Sequence, residues 1–166
     1  MFRLSLLTLP LLGGCSLLGM PNLEGTWLFM IDRNTRVTGD CADPDDPSTT
    51  TYTGTQDTMV EIFKTADGAY AVNFGVFLTG DWNDDKVFDA SYVERDETTF
   101  QGGSEVERQE LWINAAWADG SLGGSIGRDY TLATTNGGQT DTYACNEENE
   151  FEAVEITSNE SKYVED

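Results

Sequence analysis

Carboxylates are the most abundant reactive groups of this 166-residue chain: 30 Asp and Glu stand against 9 Lys and Arg, and His is absent. Without His the chain lacks the usual general base near neutral pH, the usual partner of a Ser or Cys nucleophile, and the commonest metal-binding nitrogen. Two groupings of acids have spacings worth weighing. Asp40, Asp43, Asp45 and Asp46 offer hard oxygen donors of the kind Ca²⁺ prefers, in a stretch stiffened by Pro44 and Pro47, but they match no calcium-loop spacing. Asp81, Asn83 and Asp85 repeat the first half of an EF-hand loop. Lys86 then stands where Gly is required and Tyr92 where the bidentate Glu belongs. Both read as solvated polar turns, and no metal or other cofactor is expected. A glycosidase-like acid and base are allowed by residue type, yet acids scattered along the whole chain single out no pair. The sequence points away from an enzyme.

The aromatics Trp27, Trp82, Tyr92, Trp112, Trp117 and Tyr130 are the other candidate site residues, as the lining of a ligand cavity. Their competing use is to fill the interior of a small domain.

The N-terminus carries a different chemistry. Met1, Phe2 and Arg3 form a short basic start, and Leu4 to Leu12 is apolar apart from Ser5 and Thr8 and is interrupted by Pro10. That run is too short to span roughly 30 Å of hydrocarbon and reads as an export signal. It ends in Leu12-Gly13-Gly14-Cys15, with no charged residue between Arg3 and the Cys. This resembles the lipobox of bacterial lipoproteins. The resemblance implies that Leu12, Gly13 and Gly14 are the signal-peptidase recognition positions and that residues 1–14 are removed. It also implies that Cys15 becomes the first mature residue and carries the acyl chains, palmitate among them, that anchor the protein to the membrane. Ser16 after the Cys implies sorting to the outer membrane of the bacterial envelope. Each buried methylene contributes about 0.8 kcal/mol, so several chains give lasting attachment.

Removal of residues 1–14 takes away Arg3 and no acid, so the formal charge moves from -21 to -22. Nucleic acid is thereby excluded as a partner, and so is electrostatic adhesion to anionic lipid, because an acidic body meets repulsion where a binder gains counterion release. Attachment must come from the acyl chains. A basic envelope protein, or a small hydrophobic ligand, remains a fitting partner for a monomeric domain.

In an exported chain Cys41 and Cys145 form an even pair and are expected as a disulfide. It would close a loop of about 100 residues, which the chain-entropy account values at roughly 4 to 5 kcal/mol.

The body must position these groups with strands. Trp27, Phe29 and Ile31 share one face of a first alternating run. Val60 and Ile62 oppose Met59, Glu61 and Phe63; Tyr70, Val72 and Phe74 oppose Ala69, Ala71 and Asn73; and Phe88, Ala90 and Tyr92 share a face within residues 87–93. Asp67-Gly68, Asp119-Gly120 and Asn136-Gly137 punctuate the pattern as tight turns, the last between runs at 130–132 and 140–143. Phe151, Ala153 and Glu155 share one side of a final run. Residues 104–118 are ambiguous: Ser104-Glu105-Val106-Glu107 resembles a helix capping box, whereas Leu111, Ile113, Ala115 and Trp117 alternate, and the strand reading is preferred.

This rhythm predicts an all-β antiparallel up-and-down meander of about eight strands, closed into a small barrel. Closure places the first strand beside the last and so brings Cys41 to Cys145. Gly25-Thr26-Trp27 resembles the G-x-W that opens lipocalin and avidin-like barrels, which implies that Trp27 closes one barrel end, although the segment 146–157 lacks the Arg that lipocalins place across that Trp. The expected organisation is a signal peptide at 1–14, a lipidated tether at 15–22, a barrel at 23–157 and an acidic tail at 158–166. The acids near Asp40 and after Asn146 are expected to mark one barrel end. The function expected is non-catalytic: an envelope lipoprotein that binds a small or lipidic ligand in the barrel mouth, or one that contacts an envelope protein or inhibits a basic enzyme through its acidic surface.

Overall fold

The computed structural model describes residues 20–41 and 50–157. The lipobox with Cys15, the acids Asp43, Asp45 and Asp46, and the tail 158–166 lie outside the described residues.

Eight antiparallel strands follow one another in sequence order: β1 (Gly25–Gly39), β2 (Thr50–Lys64), β3 (Tyr70–Asn73), β4 (Phe77–Trp82), β5 (Val87–Phe100), β6 (Gly103–Ala118), β7 (Ser121–Asn136) and β8 (Gln139–Thr157). Each pairs with the next, and β1 pairs with β8, so the sheet closes as a barrel. The ambiguous segment is strand. Period-two alternation prevails over the capping-box signature because β6 is hydrogen-bonded on both sides, to β7 along its whole length and to β5 from Gly103 to Ala116.

The strand number matches the expectation through two offsetting differences. The run Phe77–Trp82 forms a separate strand after a turn in which Gly75 takes φ 88°. Gly80 and Asp81 disguise it, being residues that ordinarily break strands. Conversely, the runs at 140–143 and 151–156 are one strand, β8, continuous through Asn146, Glu147, Glu148 and Asn149. The five consecutive polar residues from Asn146 to Glu150 look like a break when strand character is judged by apolar alternation, but the ladder with β7 passes through them unbroken.

One half of the barrel is filled. Trp27, Phe29, Val60, Ile62, Tyr70, Val72, Leu78, Phe88, Ile113, Leu122 and Phe151 form a continuous buried core. Phe29 is stacked on Phe151 with ring centroids 4.9 Å apart and meets Phe74 edge-on at 5.1 Å. Residues 21–24 cross the base of this half. Leu23 is completely buried, its carbonyl accepts the Trp27 indole N–H at 2.8 Å, and the Pro21 carbonyl accepts that of Trp82 at 3.3 Å. The Tyr70 hydroxyl donates to Asn22 Oδ1 at 3.2 Å. Pro21 and Asn22, which the sequence places in the tether, thus belong to the barrel floor, because they satisfy the polar tips of its aromatic side chains.

Candidate functional site: an open, acidic trough above the filled half

Strand lengths create the site. β3 and β4 have 4 and 6 residues, whereas β5 to β8 have 14 to 19. β4 accompanies β5 only as far as Ser91, and β3 accompanies β2 only between Glu61 and Lys64. Above the turn that joins β3 to β4, six strands continue in the order β2-β1-β8-β7-β6-β5. Among the described residues, β2 and β5 have no partner across that gap. The upper half is therefore a trough with a window in its wall.

Side chains on the inner face change character at the same height. On β5 the buried Phe88 and Ala90 give way beyond Tyr92 to Glu94, Asp96 and Thr98, all exposed. On β6 the buried Ala115 and Ile113 and half-buried Leu111 are followed inward along the same face by Gln109, Glu107 and Glu105. β7 contributes Ile126, Arg128, Tyr130 and Leu132, and β8 contributes Asn149, Glu147, Cys145 and Tyr143. A concavity of about 530 Å³ lies on the trough floor, with Ile31, Leu111 and Ile126 as its apolar part and Gln56, Arg128, Glu147 and Asn149 among its polar groups.

These polar groups have defined partners. Arg128 donates to Glu147 at 2.9 Å across the β7–β8 ladder; both are substantially exposed, so the pair orients more than it stabilises. Asn149 Nδ2 donates to the Asp32 carbonyl at 2.8 Å and to Thr35 Oγ1 at 2.9 Å, which ties down the irregular stretch of β1 between Ile31 and Arg36. Bulges of this kind re-aim a strand at the rim of a barrel. The Tyr130 hydroxyl is held above its ordinary pKa of 10.0, first by loss of solvent and then by the negative charges of Glu107 and Glu105. Its ring meets that of Tyr143 edge-on at 6.2 Å.

The Cys41–Cys145 disulfide is present, with Cα atoms 5.3 Å apart. Cys145 lies within β8 opposite Gly39 and Tyr130, so the bridge sits partway up the trough and the β7–β8 hairpin rises beyond it. Asp40 serves the same junction: its backbone N–H donates to the Ala144 carbonyl and its carboxylate accepts from the Ala144 N–H, each at 2.7 Å.

The aromatic residues expected to line one cavity are dispersed instead. Trp27 and Trp117 meet edge-on at 6.0 Å, Trp27 being fully buried, and Trp82 meets Phe88 at 5.6 Å. All three are core. Trp112 lies on the outer face, because its neighbours Leu111 and Ile113 point inward; its indole covers Gly127, where any Cβ would collide with the ring. Only Tyr92 and Tyr130 reach the trough. The half EF-hand is a structural turn. Asn83 Oδ1 accepts from the Asp85 and Val87 N–H groups at 3.0 Å, and Asp89 is held by Asn83 and Asn114. Acids also occupy both ends of the barrel, since Asp67, Asp84, Asp85 and Asp119 lie in or beside turns opposite the disulfide end. Charge does not mark a single end as expected.

The trough residues Glu94, Asp96, Glu105, Glu107, Arg128 and Asn149 were not singled out from the sequence. One signal was available: the inward alternation of Phe88, Ala90 and Tyr92 continues as Glu94, Asp96 and Thr98, which marks a strand leaving its core.

No family model, curated protein or solved structure matches this chain.

Proposed function

We propose that this protein is a lipid-anchored lipoprotein of the bacterial envelope, held at the outer membrane through Cys15, whose barrel serves as a non-catalytic binding module. The observation that carries the binding role is the concavity of about 530 Å³ over Ile31, Leu111 and Ile126. Its size lies in the range of small-molecule sites, and an apolar floor with a few polar groups is the usual composition of one. The filled lower half leaves no room for a ligand inside the barrel, so the ligand is a small amphiphile seated at the mouth. Its apolar part rests on Leu111 and Ile126, and its polar part meets Arg128, Glu147 and Asn149.

Two experiments test this reading. Metabolic labelling with a radioactive fatty acid should mark the native chain and not the Cys15→Ser variant; equal labelling of both refutes the anchor. An apolar naphthylamine fluorophore should brighten on binding the native protein, and Leu111→Glu should weaken that binding at least tenfold with the circular dichroism of the fold unchanged. Unaltered binding by the variant refutes the site.

A second reading has its own support in the inward-facing Glu94, Asp96, Glu105 and Glu107, which suit contact with a basic envelope protein. Such contact should weaken steeply as salt rises.

A further inference from the structure

The geometry points to strand addition: an extended, lysine-rich segment of a partner protein pairs with the free edge of β5 and fills the window in the barrel wall. This inference rests on the second reading above and specifies how such a partner is held.

Three features of the window combine. First, Tyr92 to Phe100 pair with β6 on one side and, among the described residues, with nothing on the other. A strand edge of that kind presents unpaired N–H and C=O groups, each of which is a strong hydrogen-bonding group and a template for an incoming chain. Second, the edge has opposite jambs. Among the described residues β3 pairs with β2 only from Glu61 to Lys64, so no described strand continues beside β2 on its window side, and the β3–β4 turn, at Phe74 and Gly75, forms the sill. A concavity of about 400 Å³ runs from Asn73, Phe74 and Gly75 at this sill across Thr58, Met59 and Glu61 of β2 to Thr26 of β1. An added strand therefore enters a bounded gap of limited length. Third, the charge selects the occupant. Side chains of an added strand lie beside those of β5 on each face. On the inner face these are Glu94 and Asp96, with Glu105 and Glu107 on the next strand. Alternate basic residues on the incoming strand complement all four.

The same charges disfavour a second copy of this chain. Continuation of the sheet across a two-fold axis between Glu94 and Glu97 sets one of these residues directly against itself: Glu94 on Glu94, Arg95 on Arg95, Asp96 on Asp96 or Glu97 on Glu97. Like charges in opposed pairs are destabilising.

The probe is a nine-residue peptide of alternating lysine and threonine, compared with the same peptide carrying N-methyl groups on the alternate amides of one strand edge. N-methylation preserves charge and removes the pairing donors. Fluorescence anisotropy should show the unmodified peptide binding at least tenfold more tightly than the methylated one, and the double variant Glu94→Lys, Asp96→Lys, checked as folded by circular dichroism, losing at least tenfold. Amide hydrogen exchange should show alternate amides between Val93 and Thr99 exchanging rapidly in the free protein and becoming protected with the peptide. Equal, salt-sensitive binding of both peptides overturns strand addition while the basic-partner reading stands. Binding of neither overturns both. Protection of those amides in the free protein, or sedimentation as a dimer that the double variant abolishes, overturns the free edge.

Discussion

Trp27 shows how a single side chain fixes the base of the barrel. It is fully buried, its indole N–H is satisfied by the Leu23 carbonyl, and it meets Trp117 edge-on. Trp27→Ala removes both contacts and leaves a cavity, so the variant should lose about 3 to 5 kcal/mol of stability in urea unfolding; a loss below about 1 kcal/mol would contradict the packing. Tyr130 belongs to the other regime, where charge decides. Glu107→Gln should lower the phenol's pKa towards its ordinary value, read as the difference in phenolate absorbance between the variant and its Tyr130→Phe counterpart. The sign of its effect on stability follows. A raised phenol pKa means that the folded state holds its proton longer, so the stabilisation is complete below about pH 10 and is lost as pH rises through the folded value. Tyr130→Phe should therefore lose less stability than the native chain when pH is taken from 9 to above 10. Both residues were legible as aromatics at alternating positions. That one fills a core and the other faces carboxylates depends on their height along the barrel, which alternation does not encode.

At the scale of elements, the β1–β8 seam closes the barrel, and it is the least regular of the long pairings. Its register shifts between Thr26 and Trp27 and again between Ile31 and Arg36. Asn149 bridges the second shift, and above it the seam is held by Asp40 and by the disulfide, whose cysteines are 104 positions apart in sequence. Replacing both cysteines by serine should cost about 2 to 5 kcal/mol, and hydrogen exchange should speed up first at Arg36 to Gly39 while the amides of Trp27 and Phe29 stay protected. Uniform acceleration would mean that the seam has no independent upper segment. The pairing of Cys41 with Cys145 was legible because closure of a meander dictates which strands adjoin. The lengths of the strands were less so. β8 continues through the five polar residues Asn146 to Glu150, and β4 through Gly80 and Asp81, because neighbouring ladders supply the hydrogen bonds that local propensity does not.

For the molecule as a whole the formal charge is -21, and among the described residues acids stand at both ends of the barrel. Self-repulsion at this density opposes compaction and is screened by salt. The melting temperature should rise between 10 mM and 0.5 M sodium chloride, and a flat or falling response would show that the acids are neutralised in pairs. Sequence by itself determined the class of fold, the closure of the sheet and the disulfide, because each follows from alternation and turn chemistry that act over a few residues. Tertiary structure alone decided that the barrel is filled in one half and open in the other. That division arises where β3 and β4 stop short of their neighbours: below that level the inner face is surrounded and must be apolar, and above it the same strands meet water and carry Glu94, Asp96, Glu105 and Glu107.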